Sequence, residues 1–236
     1  MKRTGLLLSC LCFAFMLSAQ SQSIGLQLGF SEPYLRSNIT SKTSKLNNNV
    51  VTNGFKAGFV YDATLVKGFG MNIALNYTFS FKQGKWQPEN QLYKNKEQRT
   101  TIMTHTIELP IEWQYKFKIA TDTWLIAYTG PVLQYNFSFI EKTYHRGDPI
   151  KGNWAEPTKY HYKTDNDIDG KPDFSPFNIQ WGVGGGFQYQ NYYIRGGYNF
   201  GIYNHFRDNY NGSGDYSNRA RYDEWNIRVG IYFLNF

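Results

Sequence analysis

The sequence predicts an all-β fold: an eight-stranded antiparallel up-and-down transmembrane β-barrel with four long external loops and short periplasmic turns. Three observations carry this prediction. Apolar and polar side chains alternate along eight segments of the 236-residue chain. Long and short connections between these segments follow each other in turn. An export signal precedes the segments, and no run of ~18 apolar residues follows it, which excludes helical membrane spans. A chain with these features crosses a membrane with tilted strands.

The alternation is clearest between Met103 and Phe117. Every odd-numbered position there is apolar or aromatic except His105, and the even-numbered positions are mostly polar. Because successive side chains of a strand point to opposite faces, this segment has one apolar face and one polar face. Its 15 residues exceed the usual strand of a soluble sheet and suit a tilted strand that crosses a bilayer.

The other strands are predicted in chain order from the same two-residue period. The apolar face of strand 1 starts at Ile24 and ends at Phe30, and strands 2 and 3 carry Phe, Tyr, Ala and Leu at alternate positions. Strand 5 ends with Tyr135, Phe137 and Phe139 on its apolar face, and strands 6 to 8 alternate Trp, Tyr, Phe, Ile and Val with polar residues or glycine. The eight predicted strands cover residues 23–32, 54–66, 70–82, 103–117, 123–140, 177–190, 192–203 and 224–236.

The connections support a barrel rather than a soluble sandwich. Short connections are predicted around residues 67–69, around 120–122 and at Asn191. Outer-membrane barrels have short periplasmic turns and longer external loops, whereas a soluble sandwich has no reason to sort its loops by length. Because lipid cannot hydrogen-bond an open strand edge, strand 8 must pair with strand 1. The four long connections cover residues 33–53, 83–102, 141–176 and 204–223.

The first 22 residues are predicted to be a signal peptide, and residues 23–236 the barrel domain. Lys2 and Arg3 form a positive start, an apolar stretch follows over residues 5–17, and small residues around Ala19 offer a cleavage site. Cleavage directly after Ala19 is an alternative, and acylation of one of the two signal cysteines is another. Removing Lys2 and Arg3 reduces the net charge from +7 to +5 and leaves a mature chain without cysteine.

Charged residues of both signs are predicted to face the narrow interior. One interpretation is a network of salt bridges that holds the barrel closed, because an isolated buried charge is too costly. The alternative is an ion path or a catalytic carboxylate pair. Glu108 and Glu112 lie four residues apart on one strand, about 13 Å along it, which is too far to share a proton. The predicted network comprises Lys56, Asp62, Glu108, Glu112, Lys116, Arg195 and Arg228.

An acidic segment in the third long connection resembles the start of a calcium-binding loop. Asp165, Asp167 and Asp169 alternate and are followed by Gly170, and Asp173 takes the ninth position. Oxygen ligands at alternate positions can wrap a hard cation, while glycine permits the sharp turn. The twelfth position holds a proline instead of the usual glutamate. The segment therefore predicts a calcium site that staples this loop, with a solvated acidic turn as the alternative.

The C-terminal aromatic residue Phe236 is predicted to be the signal read by the barrel assembly machinery. The outward row of strand 8 is odd-numbered through Phe233, so Phe236 is out of step with it. Either a β-bulge shifts the last residues, or the even-numbered residues face outward. The second arrangement would place Arg228 on the lipid face at a cost of ~2–4 kcal/mol near the midplane, so we expect the bulge.

The chain resembles the PorT-like family of eight-stranded outer-membrane barrels. The similarity lies in residues 107–111 and 115–117 of strand 4, 128–131 of strand 5, 184–189 of strand 6 and 196–202 of strand 7. The resemblance implies the same barrel architecture. It also implies a link to protein secretion or gliding machinery, the task of some members of that family.

These observations favour an integral outer-membrane barrel that is not an enzyme and has a structural or interaction role, for example as a subunit of a secretion or envelope complex. The expected partners are outer-membrane lipid and lipopolysaccharide, the barrel assembly machinery and proteins of such a complex. No nucleic-acid motif occurs. Aromatic residues of the long connections, Trp86, Tyr144 and Trp154 among them, would stack on sugars, dock proteins or pack together. A small pore and a membrane-embedded enzyme are the alternative functions.

Overall fold

A computed structural model describes residues 20–40, 45–90, 93–148, 151–162, 174–205 and 217–235. These residues form one sheet of antiparallel strands, which confirms the all-β prediction. In this part of the chain no helix has the length and apolar character needed to cross a membrane. The strands are β1 Ser21–Thr40, β2 Lys45–Val51, β3 Asn53–Val66, β4 Phe69–Gln83, β5 Gln87–Asn90, β6 Tyr93–Ala120, β7 Thr123–Asp148, β8 Gly152–Ala155, β9 Lys159–Tyr160, β10 Phe177–Tyr189, β11 Tyr192–Gly201 and β12 Ser217–Asn235.

Eight of the described strands close into a ring. The order around the ring is β1, β3, β4, β6, β7, β10, β11 and β12, and each strand pairs antiparallel with the next. β12 then pairs with β1 from Ser23↔Asn235 to Thr40↔Ser217, which completes the ring. The short strands β2, β5, β8 and β9 attach to members of the ring at one end. Every backbone edge of the ring is therefore paired.

Tight turns connect the ring strands at the opposite end, where both described chain ends also lie. β3 and β4 are joined at Lys67 and Gly68, whose φ angles are 46° and 88°. Asp122 and Gln190, in the other two turns, also have positive φ. Turns of this kind match the right-handed twist of paired strands. A side chain at Gly68 would meet the carbonyl oxygen of Lys116 at 2.4 Å, so glycine is needed there for space as well.

The four long connections were predicted as loops, and for much of their length this is wrong. β1 continues to Thr40, β6 begins at Tyr93, β7 continues to Asp148 and β12 begins at Ser217. The ring strands keep pairing beyond the apolar rows, because backbone hydrogen bonds do not depend on which side chains face outward. The polar composition of these sections indicated loops, whereas the structure has extended hairpins.

A small apolar core lies inside the hairpin end of the ring. Leu35, Ile102, Phe139 and Ala220 are all buried there. The sequence predicts that Phe139 faces lipid, and this prediction is wrong because β7 carries a bulge. Ser138 pairs with His105, whereas Asn136 pairs with the next residue of β6, Thr106. The extra residue reverses the direction of the following side chains. We call this group the outer core; Val50, Tyr162, Phe174 and Tyr222 pack against it.

A second bulge lies near the end of β12, as predicted. Ile24 pairs with Leu234 and Gly25 with Tyr232, so Phe233 is the extra residue. Tyr232 is buried, while Phe233 and Leu234 are both exposed. The alternative in which even-numbered residues face outward is wrong, because Arg228 is buried. Phe236 lies outside the described residues, so its role as an assembly signal stays a prediction.

The ring has an apolar outside and a polar inside. Large apolar side chains are exposed along every ring strand, such as Leu28 at 64% and Phe55 at 66%. Among the described residues, buried polar and charged side chains outnumber buried apolar ones. This arrangement is the reverse of a soluble protein and is typical of a barrel whose outer face contacts lipid. The candidate site is therefore the interior.

Candidate functional site

Eight charged side chains fill the middle of the ring, four carboxylates and four cations. All seven residues of the predicted network are present at inward positions. Glu224 is the eighth, and the sequence reasoning missed it although it lies on the same even-numbered row of β12 as Asn226 and Arg228. Extending that row by one more step would have found it. The eight are Lys56, Asp62, Glu108, Glu112, Lys116, Arg195, Glu224 and Arg228.

The level nearest the tight turns is centred on Asp62. Its carboxylate accepts hydrogen bonds from Lys116 Nζ at 2.6 Å and from Arg195 Nη2 at 3.1 Å. Gln114 Nε2 at 2.7 Å and the Tyr232 hydroxyl at 3.0 Å also donate to it. These donors come from β6, β11 and β12, so Asp62 on β3 connects strands across the interior of the barrel.

The middle level is centred on Glu112, which bridges two arginines. Arg195 Nη1 donates to one oxygen at 3.0 Å, and Arg228 Nη2 donates to the other at 2.6 Å. Because Arg195 also binds Asp62, the two levels are connected. The Arg228 guanidinium donates to the Tyr128 hydroxyl at 3.1 Å and lies 5.5 Å from the centre of that ring. Charge-assisted bonds of this kind are stronger than neutral ones.

Glycines make room for the Tyr128 ring inside the barrel. A Cβ atom at Gly184 would meet the Tyr128 hydroxyl oxygen at 2.3 Å, and one at Gly197 would meet it at 2.4 Å. Gly184 lies on β10 and Gly197 on β11. A side chain at either position would displace Tyr128 and, with it, the hydrogen bond to Arg228.

The level nearest the hairpin end is centred on Lys56. Its ammonium group donates to both Glu108 and Glu224. Glu108 also accepts hydrogen bonds from Thr78 Oγ1 at 3.0 Å and from Gln134 Nε2 at 3.3 Å. A single buried lysine therefore neutralises one of two neighbouring carboxylates, and polar neighbours supply further donors.

Little free space lies between the level centred on Glu112 and the level centred on Lys56. A void of about 10 Å³ lies there, lined by residues that include Lys56, Glu108, Glu112 and Arg228. Such a volume holds about one water molecule. On the turn side of the network, a wider cavity of about 920 Å³ opens beside Asp62, Lys116 and Lys67. Among the described residues, this arrangement joins strands across the interior.

The structure gives separate partners to the two carboxylates that a catalytic pair would need together. Glu108 binds Lys56, whereas Glu112 binds the two arginines, so the two carboxylates share no hydrogen bond. The described residues contain no group of three or more His, Cys, Asp and Glu side chains placed to hold a metal ion. The predicted calcium ligands lie outside the described residues; they are Asp165, Asp167, Asp169 and Asp173.

The chain matches one family model and is similar to several solved structures. The family model described as an outer membrane protein beta-barrel domain matches residues 18–207. Ail, the attachment invasion locus protein of Yersinia pestis, has 13% sequence identity and a TM-score of 0.33, with 90% of this chain and 99% of that chain covered.

Two further solved structures are similar. Neisserial surface protein A has 12% identity and a TM-score of 0.30, covering 87% of this chain and 97% of that one. The N-terminal β-barrel domain of Pseudomonas aeruginosa OprF has 8% identity and a TM-score of 0.33, with the same coverage. No curated protein matches the chain. The family match covers most of the sequence, so the chain belongs to the outer membrane protein beta-barrel domain family and is a protein of the cell outer membrane.

Proposed function

We propose that this protein is a closed, non-enzymatic outer-membrane barrel of eight spanning strands that presents its extended hairpins to partners outside the cell. The single observation that carries the proposal is the interior network, in which four carboxylates and four cations pair with one another. A filled and neutral interior is suited to holding a barrel together, and an eight-stranded barrel is just wide enough to be filled by side chains.

The orientation follows from the two ends of the ring. Tight turns and both described chain ends lie on one side, which is the periplasmic side in bacterial outer-membrane barrels. The hairpins and the outer core then lie outside the cell. Lipopolysaccharide would surround the upper part of the barrel, and the barrel assembly machinery would insert it.

The network argues against the pore and the enzyme. An ion path needs charged groups that can exchange partners with a passing ion, whereas Glu112 already binds two arginines and Lys56 two carboxylates. A hydrolytic enzyme needs a nucleophile next to a base and a space for the substrate. The void of about 10 Å³ beside Glu108 and Glu112 is too small for a substrate.

The hairpin end supports an interaction role. The outer core gives this end its own apolar packing, so it offers a defined surface instead of independent loops. A subunit of a secretion or envelope complex would use such a surface to dock its partners. The resemblance of the sequence to PorT-like barrels supports this role, because some members of that family are linked to protein secretion.

Conductance measurements test the closed barrel. The full chain, folded in detergent and inserted into planar bilayers, should give no stepwise current, and folding is checked by the faster gel migration of the unheated barrel. The double variant E112A/R228A, which removes charge and volume from the middle level, is the matched comparison. Discrete current steps from the folded wild-type chain would contradict the proposal.

A calcium staple in the third external hairpin remains a separate prediction. Calcium at millimolar concentration should slow proteolysis between β9 and β10, and replacing Asp165, Asp167 and Asp169 with Asn should abolish this protection. Equal cleavage of the wild-type chain with and without calcium would exclude the staple and leave the barrel proposal unaffected.

A further inference from the structure

Three cations and two aromatic rings alternate beyond the apolar rows, four of them on the outward face of β6 and β7 and the fifth, Trp86, in the connection between β4 and β5. The Arg146 guanidinium lies 4.4 Å from the centre of the Trp86 ring, and the Arg99 guanidinium lies 4.7 Å from it. Arg99 is also 5.5 Å from the Tyr144 ring, and Lys142 Nζ is 5.2 Å from the same ring. We call these five residues the cation–aromatic column.

The column carries more positive charge than its neighbours neutralise. Arg146 forms an ion pair with Glu97. No carboxylate in the described part of the chain pairs with Arg99 or Lys142, and Arg99 Nε is a buried donor without a hydrogen-bond partner there. Cation–π contacts hold the like charges side by side at a modest gain, and their mutual repulsion remains. An anionic ligand would remove that repulsion.

The column continues the lipid-facing surface of the same two strands. His105 and Phe137 belong to an outward aromatic cluster with ring centroids 5.8 Å apart. Lys142 pairs with Thr101, four residues beyond His105 on β6, and Arg146 pairs with Glu97, eight residues beyond it. At about 3.4 Å per residue and a strand tilt of about 40°, the column lies roughly 10 to 20 Å above the aromatic cluster along the membrane normal.

An apolar groove lies beside the aromatic cluster, and Ile140 in its lining is two residues before Lys142 of the column on β7. Its volume is about 380 Å³, and its lining includes His105, Phe137, Ile140 and Tyr160. The bulge in β7 opens this groove, because it turns Phe139 inward next to the outward Ile140. A ligand that enters the groove from the lipid side would place its polar end at the column.

We propose that the cation–aromatic column and the groove bind a phosphorylated glycolipid of the outer leaflet, with its phosphorylated sugars on the cations and rings and its apolar portion in the groove. Charge complementarity selects the phosphates, and aromatic faces suit the apolar faces of sugar rings. A soluble acidic polysaccharide has no apolar portion that could occupy a groove that opens toward lipid. The inference rests on the proposed membrane barrel and names one partner for its external side.

Native mass spectrometry of the full chain in detergent micelles tests the proposal, with lipid A as the probe and dephosphorylated lipid A as the matched ligand. The variant R99Q/K142Q removes two cations of the column. The control K67Q/K118Q removes the same charge at the opposite end of the barrel. We expect R99Q/K142Q to bind lipid A about 25-fold more weakly, since each cation at a membrane surface contributes about a factor of five. The control should bind like the wild type.

Comparing lipid A with dephosphorylated lipid A tests the role of the phosphates. Dephosphorylation should weaken binding to the wild-type chain and to the control, but should have little further effect on R99Q/K142Q. Binding that is insensitive to the phosphates or to R99Q/K142Q overturns the proposal. Equally tight binding of soluble heparin at the same cations also overturns it, in favour of a soluble polyanion.

Two checks separate this proposal from the proposed function. If R99Q/K142Q fails to show the gel migration of a folded barrel, K142Q alone replaces it, because Lys142 lies at the edge of the column; about fivefold weaker binding is then expected. If the wild-type chain folds and inserts but binds lipid A and dephosphorylated lipid A equally well, only this inference is overturned. A wild-type chain that does not insert into membranes removes the barrel proposal itself.

Discussion

The interior of the barrel and its hairpin end are stabilised in different ways. In the interior, each of the four cations contacts at least one carboxylate. At the hairpin end, Leu35, Ile102 and Phe139 form an apolar core, and the cations outside it stack on aromatic rings. The difference follows from water: a charge without a partner is tolerable where solvent reaches it, but not inside a narrow barrel.

The largest expected effect is that of Glu112→Ala in the interior. It leaves Arg195 and Arg228 buried without their shared carboxylate, and removing one partner of a buried ion pair costs about 3–5 kcal/mol. The measurement is urea unfolding of the detergent-folded barrel, followed by gel migration. Glu97→Ala is the matched control, because Glu97 pairs with Arg146 near the surface, where such a pair contributes about 0–1 kcal/mol. Equal losses for both variants would contradict the contrast between the two regions.

The next effect concerns the outer core. Phe139→Ala removes a buried ring and should destabilise the hairpin end by about 3 kcal/mol. We expect faster hydrogen exchange at Ile102 and Ala220 with little change around Asp62, because the interior network does not contact this core. Phe137→Ala, which removes an outward ring two residues earlier, is the control and should leave exchange in the outer core unchanged. Faster exchange throughout the ring would show that the two regions unfold as one unit.

A smaller effect is expected from glycine replacements in β10 and β11. Gly184→Ala would force Tyr128 away from its hydrogen bond to Arg228 and should cost about 2 kcal/mol, as overpacking of an interior does. At Gly196 the nearest atom to an added Cβ is 3.8 Å away, so Gly196→Ala should be close to neutral. Urea midpoints of the two variants give the comparison. A neutral Gly184→Ala would show that Tyr128 can leave the network without cost.

The two regions also differ in how far the sequence predicts them. Side chains around the interior network keep a period of two, so the inward positions of Asp62, Glu112 and Arg195 follow directly from the pattern. The hairpin end breaks the period at a bulge in β7. Because Phe137 and Phe139 are both aromatic, nothing in the local sequence shows that the second of them turns inward.

Partner choice inside the network could not be predicted either. Arg195 and Glu112 lie on strands β11 and β6, across the interior from each other in the closed ring, and only closure of the ring determines which carboxylate each cation meets. Local alternation specifies a face of a strand, whereas the pairing across the lumen depends on strand register and tilt. For the same reason, the cation–aromatic column is visible in the sequence only as scattered aromatic and basic residues.

The smallest effect is a pH dependence confined to the hairpin end. His205 is buried beside Tyr222, and burial lowers its pKa to about 4, although Nδ1 donates to the Ser175 carbonyl oxygen at 2.8 Å. The unfolded segment takes up a proton below its ordinary pKa of about 6.5, while the folded segment stays neutral until about pH 4. Stability is therefore complete above about pH 6.5 and falls as the pH is lowered toward 4, by about 1–2 kcal/mol at pH 5.

Hydrogen exchange at Ala220, compared between pH 7 and pH 5 after correction for the intrinsic exchange rate, measures this loss. His205→Asn, which can still donate a hydrogen bond but does not titrate, should remove the pH dependence. Protection around Asp62 should not change between the two pH values, because His205 has no contact with the interior network. A loss of protection that is as large in the interior as at the hairpin end would mean that one cooperative unit, not two differently stabilised regions, responds to acid.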